Sequence, residues 1–377
     1  MTNHRIILIT AALICASMAR AASPLATVTV SNELPQPRTE MIEIGSPAVP
    51  QEKFVVRDSN GSEIPYQITY NGNLIFPAST GPEETVVYTL VAGKPSAVDP
   101  VVWAQFYPER LDDIAWENDF GAYRAYGPAL AASGGKAYGY DAFTKSSTMP
   151  VVPERYFREL VQMVSYHINH ANGMDVYDVG PTMGAGLAVP VGRDGSLIFP
   201  ASFDEYRILD NGPLRTTIEL KLNYGGGTET RIITLDAGTP LNRTTTRFEG
   251  FDSDSVAAGV VVHKPGETEY ILGDRYVAFT DPTTSPGGRG VGKIFTGVVT
   301  PAYNTVTSYR PLSIPGSTAV GHVMTVTPYR QGDEFNYFWG TCWNKGRIRS
   351  AQEWDMTLRD VLRRYHSPLR ISVDCGK

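Results

Sequence analysis

The segment "RTTIELKLNY", residues 215–224, alternates apolar and polar side chains from Ile218 onward, which is the pattern of a β-strand with one buried face. Similar segments follow it to the C-terminal region: "TETRIITL" (228–235), "NRTTTRFEG" (242–250), "SVAAGVVVH" (255–263), "TEYILGDRYVAFT" (268–280), "GHVMTVTPY" (321–329) and "FNYFWGTCW" (335–343). Because no helical segment interleaves with them, a parallel βαβ sheet is disfavoured. The sequence predicts a mainly β protein with large antiparallel sheets packed as a sandwich.

Two segments have the periodicity of helices. "PERYFRELVQMVSYH", 153–167, is predicted to be helical and to end within 169–173. The apolar residues expected on one of its faces are Tyr156, Leu160, Val161 and Val164. Ser350 and Glu353 form a capping box at the start of a second predicted helix over 351–366.

The chain divides into an export signal and two β-rich regions. Residues 1–21 combine a short apolar run with the small-residue pattern Ala19-Arg20-Ala21, which is typical of a cleavable signal peptide. We therefore expect a periplasmic or secreted protein. The segment "GKPSAVDP" is a predicted linker between an N-terminal β module at 22–95 and a large β-sandwich domain at 100–377.

Composition excludes some partners and leaves the cysteines open. A formal net charge of -6 argues against a nucleic acid or an anionic membrane as partner. The signal's apolar run is shorter than the ~20 residues that span a bilayer, so we expect no membrane insertion. After signal cleavage Cys342 and Cys375 remain. They can pair in an oxidising compartment or stay as two free thiols.

The segment "YHINHANGMDVYDVGPTMGAG", 166–186, has an unusual density of polar side chains next to flexible glycines. His167 and His170, with Asp175, can supply the ligands of a divalent metal. A proton-transfer role is the favoured alternative, since histidine titrates nearest to neutral pH. A third interpretation is structural, with one histidine at a helix C-terminus and the other in solvent.

A second polar and aromatic segment is "RLDDIAWENDFGAYRAYGP", 110–128. Aromatic planes beside directional polar groups are suited to binding sugars. The residues expected to bind substrate here are Trp116, Glu117, Asn118 and Tyr126, together with Asp175 of the segment 166–186. Arg124 can hold a carboxylate with two hydrogen bonds. The alternative is that Trp116 and Tyr126 are core residues and that Glu117 and Arg124 form an ordinary ion pair.

A third candidate is "FWGTCWNKGR", 338–347, in which Trp343 and Lys345 follow a predicted strand and can reach a cleft at the sheet edge. Other machinery is absent from the sequence: it has no P-loop, no G-x-S-x-G motif and no dinucleotide fingerprint. No cofactor is therefore expected, with a divalent metal left open.

Five segments resemble, in this order, the bacterial family of domains of unknown function 4861. They are "ERLDDIAWENDFGAYRAYGPAL" (109–130), "YHINHANGMDVYDVGPTMGAG" (166–186), "NGPLRTTIEL" (211–220), "LDAGTPLNR" (235–243) and "YFWGTCWNKG" (337–346). The resemblance covers nearly the whole mature chain. It implies an exported protein of glycan-degrading bacteria with a supersandwich fold similar to that of sugar mutarotases and several polysaccharide lyases.

The resemblance also implies a chemistry, because a dehydratase of uronate-ended ulvan oligosaccharides is similar to this group. The residues that match the family pattern are Trp116, Glu117, Asn118, Arg124, His167, His170, Asp175 and Tyr177. Acidic residues commonly occupy the family positions of Asn169 and Asn172, and that departure weakens a metal or carboxylate-base role for the segment.

Together these features lead to the hypothesis of β-elimination on a uronic-acid-containing oligosaccharide. His167 or His170 is the expected base and Tyr177 the expected acid, and a clamp of Arg124 and Asn118 would neutralise the substrate carboxylate. One rival is a sugar epimerase or a glycoside hydrolase, which would use two carboxylates; the candidates are Glu117, Asp119 and Asp175. A non-catalytic glycan-binding protein is the other rival.

Overall fold

The structure, a computed structural model, describes residues 23–283 and 291–375. The expected signal peptide at 1–21 therefore lies outside the described residues. The described chain is mainly β with antiparallel sheets, so the predicted fold class is confirmed. Its α-helices are α1 Pro128–Ala132, α2 Val152–Gln162 and α3 Ala351–His366, and its 3-10 helices are Ser46–Ala48 and Pro108–Arg110.

The N-terminal module is a small sandwich of two sheets. Its strands are β1 Ala26–Ser31, β2 Arg38–Ile44, β3 Phe54–Arg57, β4 Glu63–Ile64, β5 Gln67–Ile68, β6 Leu74–Thr80 and β7 Thr85–Ala92. One sheet has the order β2-β6-β5. The other sheet has the order β24-β1-β7-β3-β4, in which β24 is the C-terminal strand Arg370–Cys375. Strand β24 pairs antiparallel with β1. The last strand of the chain thus completes the first sheet.

The main sandwich packs an eight-stranded sheet against a four-stranded sheet. Its strands are β12 Leu187–Gly192, β13 Glu205–Asn211, β14 Arg215–Asn223, β15 Thr228–Asp236, β16 Leu241–Glu249, β17 Ser253–His263, β18 Tyr270–Leu272, β19 Tyr276–Asp281, β20 Ile294–Val299, β21 Val306–Pro311, β22 Ala319–Pro328 and β23 Phe335–Trp343. The larger sheet has the order β13-β14-β15-β16-β23-β20-β19-β18, and the smaller has the order β12-β17-β22-β21. Their inward side chains form the largest buried apolar cluster.

A further four-stranded sheet, here called the cover sheet, carries the polar segment near residue 120. It has the order β11-β10-β9-β8, with β8 Trp103–Tyr107, β9 Asp113–Glu117, β10 Ala122–Ala125 and β11 Asp141–Phe143. On one face Trp116 and Tyr123 pack into the main core. Its other face is covered by α2 and the following loop through Val152, Tyr156 and Tyr166.

The helices agree only in part with their predicted forms. Helix α2 ends at Gln162 and not within 169–173, because Met163 adopts a left-handed conformation with φ of 57° and its N–H bonds the Arg158 carbonyl. Leu160 and Val161, expected on its buried face, are 39% and 63% exposed. The side chains that α2 does bury are Val152, Arg155 and Tyr156.

Helix α3 has its predicted cap. The Ser350 hydroxyl accepts a hydrogen bond from the Glu353 amide at 3.1 Å. The alternative left open for the cysteines resolves to two free thiols, with Cys342 buried and Cys375 exposed. None of the helices in the described ranges is long and apolar enough to cross a membrane.

Candidate active site

The two polar segments, distant in the chain, meet on the outer face of the cover sheet. Strand alternation turns Arg124 to this face while its neighbour Tyr123 enters the core. Asp175 pairs with Phe143 of β11 in an isolated antiparallel bridge. The Arg124 Nη2 atom consequently lies 3.3 Å from Asp175 Oδ2. The loop after α2 and strand β10 therefore contribute to one site.

Arg124 is the centre of a buried cluster with three aspartates, here called the aspartate cluster. Its Nη2 donates to Asp141 Oδ2, and its Nη1 is 3.6 Å from Asp113 Oδ2. With Asp175 the guanidinium thus faces three carboxyl groups, and Arg124 is only 6% exposed. Arg124, which the sequence suggested as a clamp for the substrate carboxylate, is therefore already paired with carboxyl groups of the protein.

Burial gives this cluster unusual proton affinity. Removal from water raises the pKa of Asp113 to about 6, against the opposing attraction of Arg124. Burial, together with the nearby Asp141, raises the pKa of Asp175 well above its ordinary value. Asp175 therefore binds a proton more readily than an ordinary carboxyl group, and it lies directly behind the histidine loop.

Two residues that the sequence did not single out complete this region. The Tyr166 hydroxyl accepts hydrogen bonds from Arg110 Nη2 and from Arg124 Nη1, the latter at 3.3 Å. Burial outweighs the two guanidiniums and raises the pKa of Tyr166, so the phenol keeps its proton. That proton has no acceptor among the described residues. The only sequence signal for Tyr166 and Arg110 was that both lie inside the quoted polar segments.

Arg110 differs from Arg124 in having no acidic partner. It is half-buried, and its guanidinium lies over the Tyr166 ring at 5.0 Å from the centroid. No carboxylate of the described chain lies within 4.0 Å of it. Arg110 therefore makes no ion pair, although its charge still acts on Asp113 and Asp175, and its guanidinium lies beside the histidine loop where it can meet an anionic group from outside.

His167 has the geometry of a general base. Its Nδ1 lies 3.1 Å from the Asp175 backbone carbonyl, which can only accept, so Nδ1 carries the proton. Nε2 then has a free lone pair, with no partner among the described residues. The His167 side chain is 46% exposed, and its ring packs on Tyr166 with centroids 4.5 Å apart.

His170 is engaged on both sides of its ring. Nδ1 accepts from Arg158 Nη1 at 3.1 Å, because arginine can only donate, and Nε2 donates to the Ser165 carbonyl at 2.9 Å. This ring ties the loop to α2. Among residues 23–283 and 291–375 no group of three or more histidine, cysteine or acidic side chains is arranged to hold a metal.

Tyr177 lies deeper, between the aspartate cluster and a second buried pair. It is 4% exposed, and its hydroxyl has no hydrogen-bond partner within the described structure. Burial, with Asp281 and Asp141 nearby, raises the pKa of Tyr177 well above its ordinary value. Its ring contacts His263, whose Nδ1 bonds Asp281 Oδ2 at 2.6 Å. His263 and Asp281 come from separate strands, so no sequence spacing reveals them.

Trp116 and Asn118 are placed inside the fold. Trp116 is 1% exposed, and its indole N–H donates to Asn242 Oδ1 at 2.8 Å. The Asn118 amide donates to the carbonyls of Asp236 at 2.6 Å and Thr239 at 2.7 Å. Both side chains join the cover sheet to the eight-stranded sheet, and neither presents a free group to a ligand in this structure.

Glu117 caps helix α2 from beneath. Its carboxylate accepts from the backbone amides of Val151 and Val152 at 2.8 and 2.9 Å, where the helix begins. The Lys145 Nζ atom donates to it at 2.6 Å, and both side chains are fully buried. Contrary to the ordinary ion pair considered from the sequence, the partner of Glu117 is Lys145 and not Arg124.

The remaining predicted residues fall into two places. Tyr126 is half-buried at the aspartate cluster and donates to Asp141 Oδ2 at 2.9 Å. Trp343 is buried at the end of β23. The side chain of Lys345 is exposed, and its Nζ atom lies 5.5 Å from the centroid of the Trp343 ring. No described hydrogen bond, ion pair or ring contact joins Trp343 or Lys345 to the aspartate cluster.

Comparison with known proteins finds a family match and a relative of similar length. The family model described as "Domain of unknown function (DUF4861)" matches residues 30–371. "Uncharacterized protein P7" of Formosa agariphila is 25% identical over 406 residues, covering 97% of this chain and 98% of the relative.

Solved structures show likeness of fold alone. An α-mannosidase from Enterococcus faecalis V583 superposes with a TM-score of 0.51 at 9% identity, covering 93% of this chain and 46% of that structure. A glycosyl hydrolase family 38 protein from Enterococcus faecalis gives a TM-score of 0.49, also at 9% identity, with 93% and 47% coverage. The chain thus spans about half the length of these structures. By its family match, the protein belongs to the DUF4861 family.

Proposed function

We propose that this protein is an exported carbohydrate-active enzyme that acts on uronic-acid-containing oligosaccharides by β-elimination, as a lyase or a dehydratase. The observation that carries the proposal is His167, whose Nε2 is free while Nδ1–H is fixed by the Asp175 carbonyl. Arg110, which makes no ion pair with a described carboxylate, contacts the same Tyr166 ring that packs on His167. A base and a cation that contact one tyrosine suit proton abstraction beside an anionic group.

The reaction requires both parts. The C5 proton of a uronate is too weakly acidic for a side chain to remove until the adjacent carboxylate is neutralised. In the proposed mechanism Arg110 binds that carboxylate, and His167 Nε2 takes the C5 proton. The C4–O bond then breaks and a C4–C5 double bond forms. Arg124, which the sequence suggested for the clamp, instead positions Asp175 and Tyr166 behind the base.

The departing oxygen needs a proton, and two tyrosines hold one without a described acceptor. Tyr177 is the donor expected from the sequence. Tyr166 is the donor that the geometry adds, since it contacts the His167 ring and accepts from two guanidiniums that would stabilise its phenolate. Asn118 takes no part in this scheme because its amide is bound to two backbone carbonyls.

A glycoside hydrolase is less well supported, because its candidate carboxylates are engaged within the fold. Glu117 is fully buried against Lys145. Asp119 accepts from Arg347 and from the Gly238 amide. An acid pair flanking a sugar ring needs both groups open to the substrate.

Variants at the histidine loop test the proposal. Oligouronates would be incubated with wild type, His167→Gln and His170→Gln, and the unsaturated product followed by its ultraviolet absorbance. We expect His167→Gln to lower kcat by roughly a hundredfold or more. His170→Gln is the matched control, because both ring nitrogens of His170 are already hydrogen-bonded within the protein. This variant should lower stability more than kcat. Equal rates in wild type and His167→Gln would exclude this residue as the base.

Two more variants assign the proton donor and the clamp. Loss of kcat in Tyr166→Phe but not in Tyr177→Phe assigns the donor to Tyr166, and the reverse assigns it to Tyr177. Arg110→Gln should raise KM for uronate substrates and lower kcat together. Glycan binding by calorimetry without product in any assay would replace the enzyme by a glycan-binding protein.

A further inference from the structure

A second polar cleft lies where the N-terminal module docks on the outer face of the eight-stranded sheet. The turn after β5 reaches over β13, and the Tyr70 amide donates to Asp210 Oδ1 at 2.7 Å. Gln67 Oε1 accepts from the amides of Leu214 and Arg215, both at 2.9 Å. These contacts fix the module in place and leave beside them a cleft of about 150 Å³.

The floor of this cleft is one transverse row of side chains. Asp210 of β13 is paired with Thr217 of β14, Thr217 with Thr234 of β15, and Thr234 with Arg243 of β16. All four residues line the cleft. Three interstrand spacings give the row a length of about 14 Å. An acceptor therefore stands at one end, a cation at the other, and two hydroxyls between them.

The groups in the row have hydrogen-bonding capacity that the protein does not use. Asp210 is 6% exposed, and its Oδ2 has no partner within the described structure. Thr217 and Thr234 are 3% and 8% exposed, and their hydroxyls make no hydrogen bond to a described residue. Buried polar groups are ordinarily paired, so the unpaired Asp210 Oδ2 at the base of the cleft points to a ligand that completes it, and the two threonine hydroxyls are open to the same ligand.

The surroundings indicate the chemistry of that ligand. Arg243 is exposed and has no carboxylate of the described chain within 4.0 Å. Tyr70, at the wall of the cleft, is 57% exposed and offers an aromatic face. An aromatic face with acceptors and hydroxyls suits a sugar ring, and the arginine suits a carboxylate or sulfate group.

We propose that this cleft is a second glycan-binding site, which takes an anionic oligosaccharide with sugar hydroxyls at Asp210 and the threonines and the acidic group at Arg243. The site is separate from the candidate active site. Arg243 faces outward from the eight-stranded sheet, whereas the cover sheet packs on the inward face of that sheet through Trp116 and Asn242. His167 lies on the far side of the cover sheet, so binding here does not depend on the proposed catalysis.

Affinity electrophoresis of the full chain tests the site. Native gels would contain polygalacturonate, dextran sulfate or neutral dextran, and migration would be compared with a gel lacking polysaccharide. We expect at least one of the two anionic polymers to retard the wild type, and the neutral polymer not to. Arg243→Gln, and separately the double variant Thr217→Val with Thr234→Val, should weaken the retardation at least fivefold in apparent Kd.

Matched controls lie on the same strands and the same face but outside the cleft. Arg247→Gln, whose side chain pairs with Glu334 at 3.3 Å, and Thr230→Val should be retarded like the wild type. His167→Gln should also keep full retardation, since it changes only the other site. The inference is overturned by wild type unretarded in both anionic gels, by Arg243→Gln retarded as strongly as Arg247→Gln, or by retardation lost in His167→Gln.

Discussion

Asp113 should make the stability of this protein fall as the pH rises. Its carboxyl group is 3% exposed, and its Oδ1 has no hydrogen-bond partner in the described structure. Burial raises its pKa from 3.8 to about 6. A folded-state pKa above the unfolded value means that the group's stabilisation is complete below about pH 4 and is lost as the pH passes through 6. The loss corresponds to about 3 kcal/mol in the free energy of unfolding.

The substitution Asp113→Asn isolates this contribution, because an amide of the same shape does not ionise. The free energy of unfolding of wild type and variant would be measured by urea titration with tryptophan fluorescence at about pH 4 and about pH 8. The variant should gain about 3 kcal/mol relative to wild type between the two conditions. A difference between the proteins that is the same at both pH values would show that Asp113 titrates normally, and would refute the raised pKa of this group.

Three further predictions concern groups around the site. Lys145→Met should cost about 3–5 kcal/mol in the free energy of unfolding, because it leaves the Glu117 carboxylate buried without its cation. Adding Glu117→Gln should recover part of that loss, and strictly additive losses in the double variant would contradict the pairing. Burial alone would lower the pKa of His263, but its aspartate partner outweighs burial and raises the pKa above 6.5, so stability should fall as the pH rises beyond that value. A His263→Asn variant whose unfolding free energy falls equally above that pH would contradict this. Gly173→Ala should loosen the histidine loop and lower both thermal stability and kcat. Gly173 has a φ of 122°, and an added Cβ would lie 2.0 Å from the backbone carbonyl oxygen of Thr144. An unchanged melting temperature and kcat would show that the loop tolerates the alanine.

Much of the fold was predictable from local pattern. The strands after residue 215 alternate because one face is buried, and the Ser350 cap of α3 follows from a short-range hydrogen bond. The pairing of β24 with β1 was not predictable, because the two strands lie at opposite ends of the chain and carry no local signal of each other. The end of α2 was also missed, since the apolar period continues past Met163 while the backbone does not.

The sequence indicated the two polar segments as candidates, but it could not indicate the contacts that join them. The sequence could not reveal that Arg124 is shared by three aspartates, since Asp113, Asp141 and Asp175 reach it from different strands and a loop. The same limit applies to Arg110, which makes no ion pair because those carboxyl groups contact Arg124 instead.

The central claim is that His167 removes a carbon-bound proton from a uronate and that no water is added to the product. Its most direct test is mass spectrometry of oligouronates incubated with the protein. We expect unsaturated products that are lighter than the corresponding hydrolysis products by one water, formed roughly a hundredfold more slowly by His167→Gln. Saturated products heavier by one water, or unsaturated product formed at an undiminished rate without this histidine, would contradict the claim.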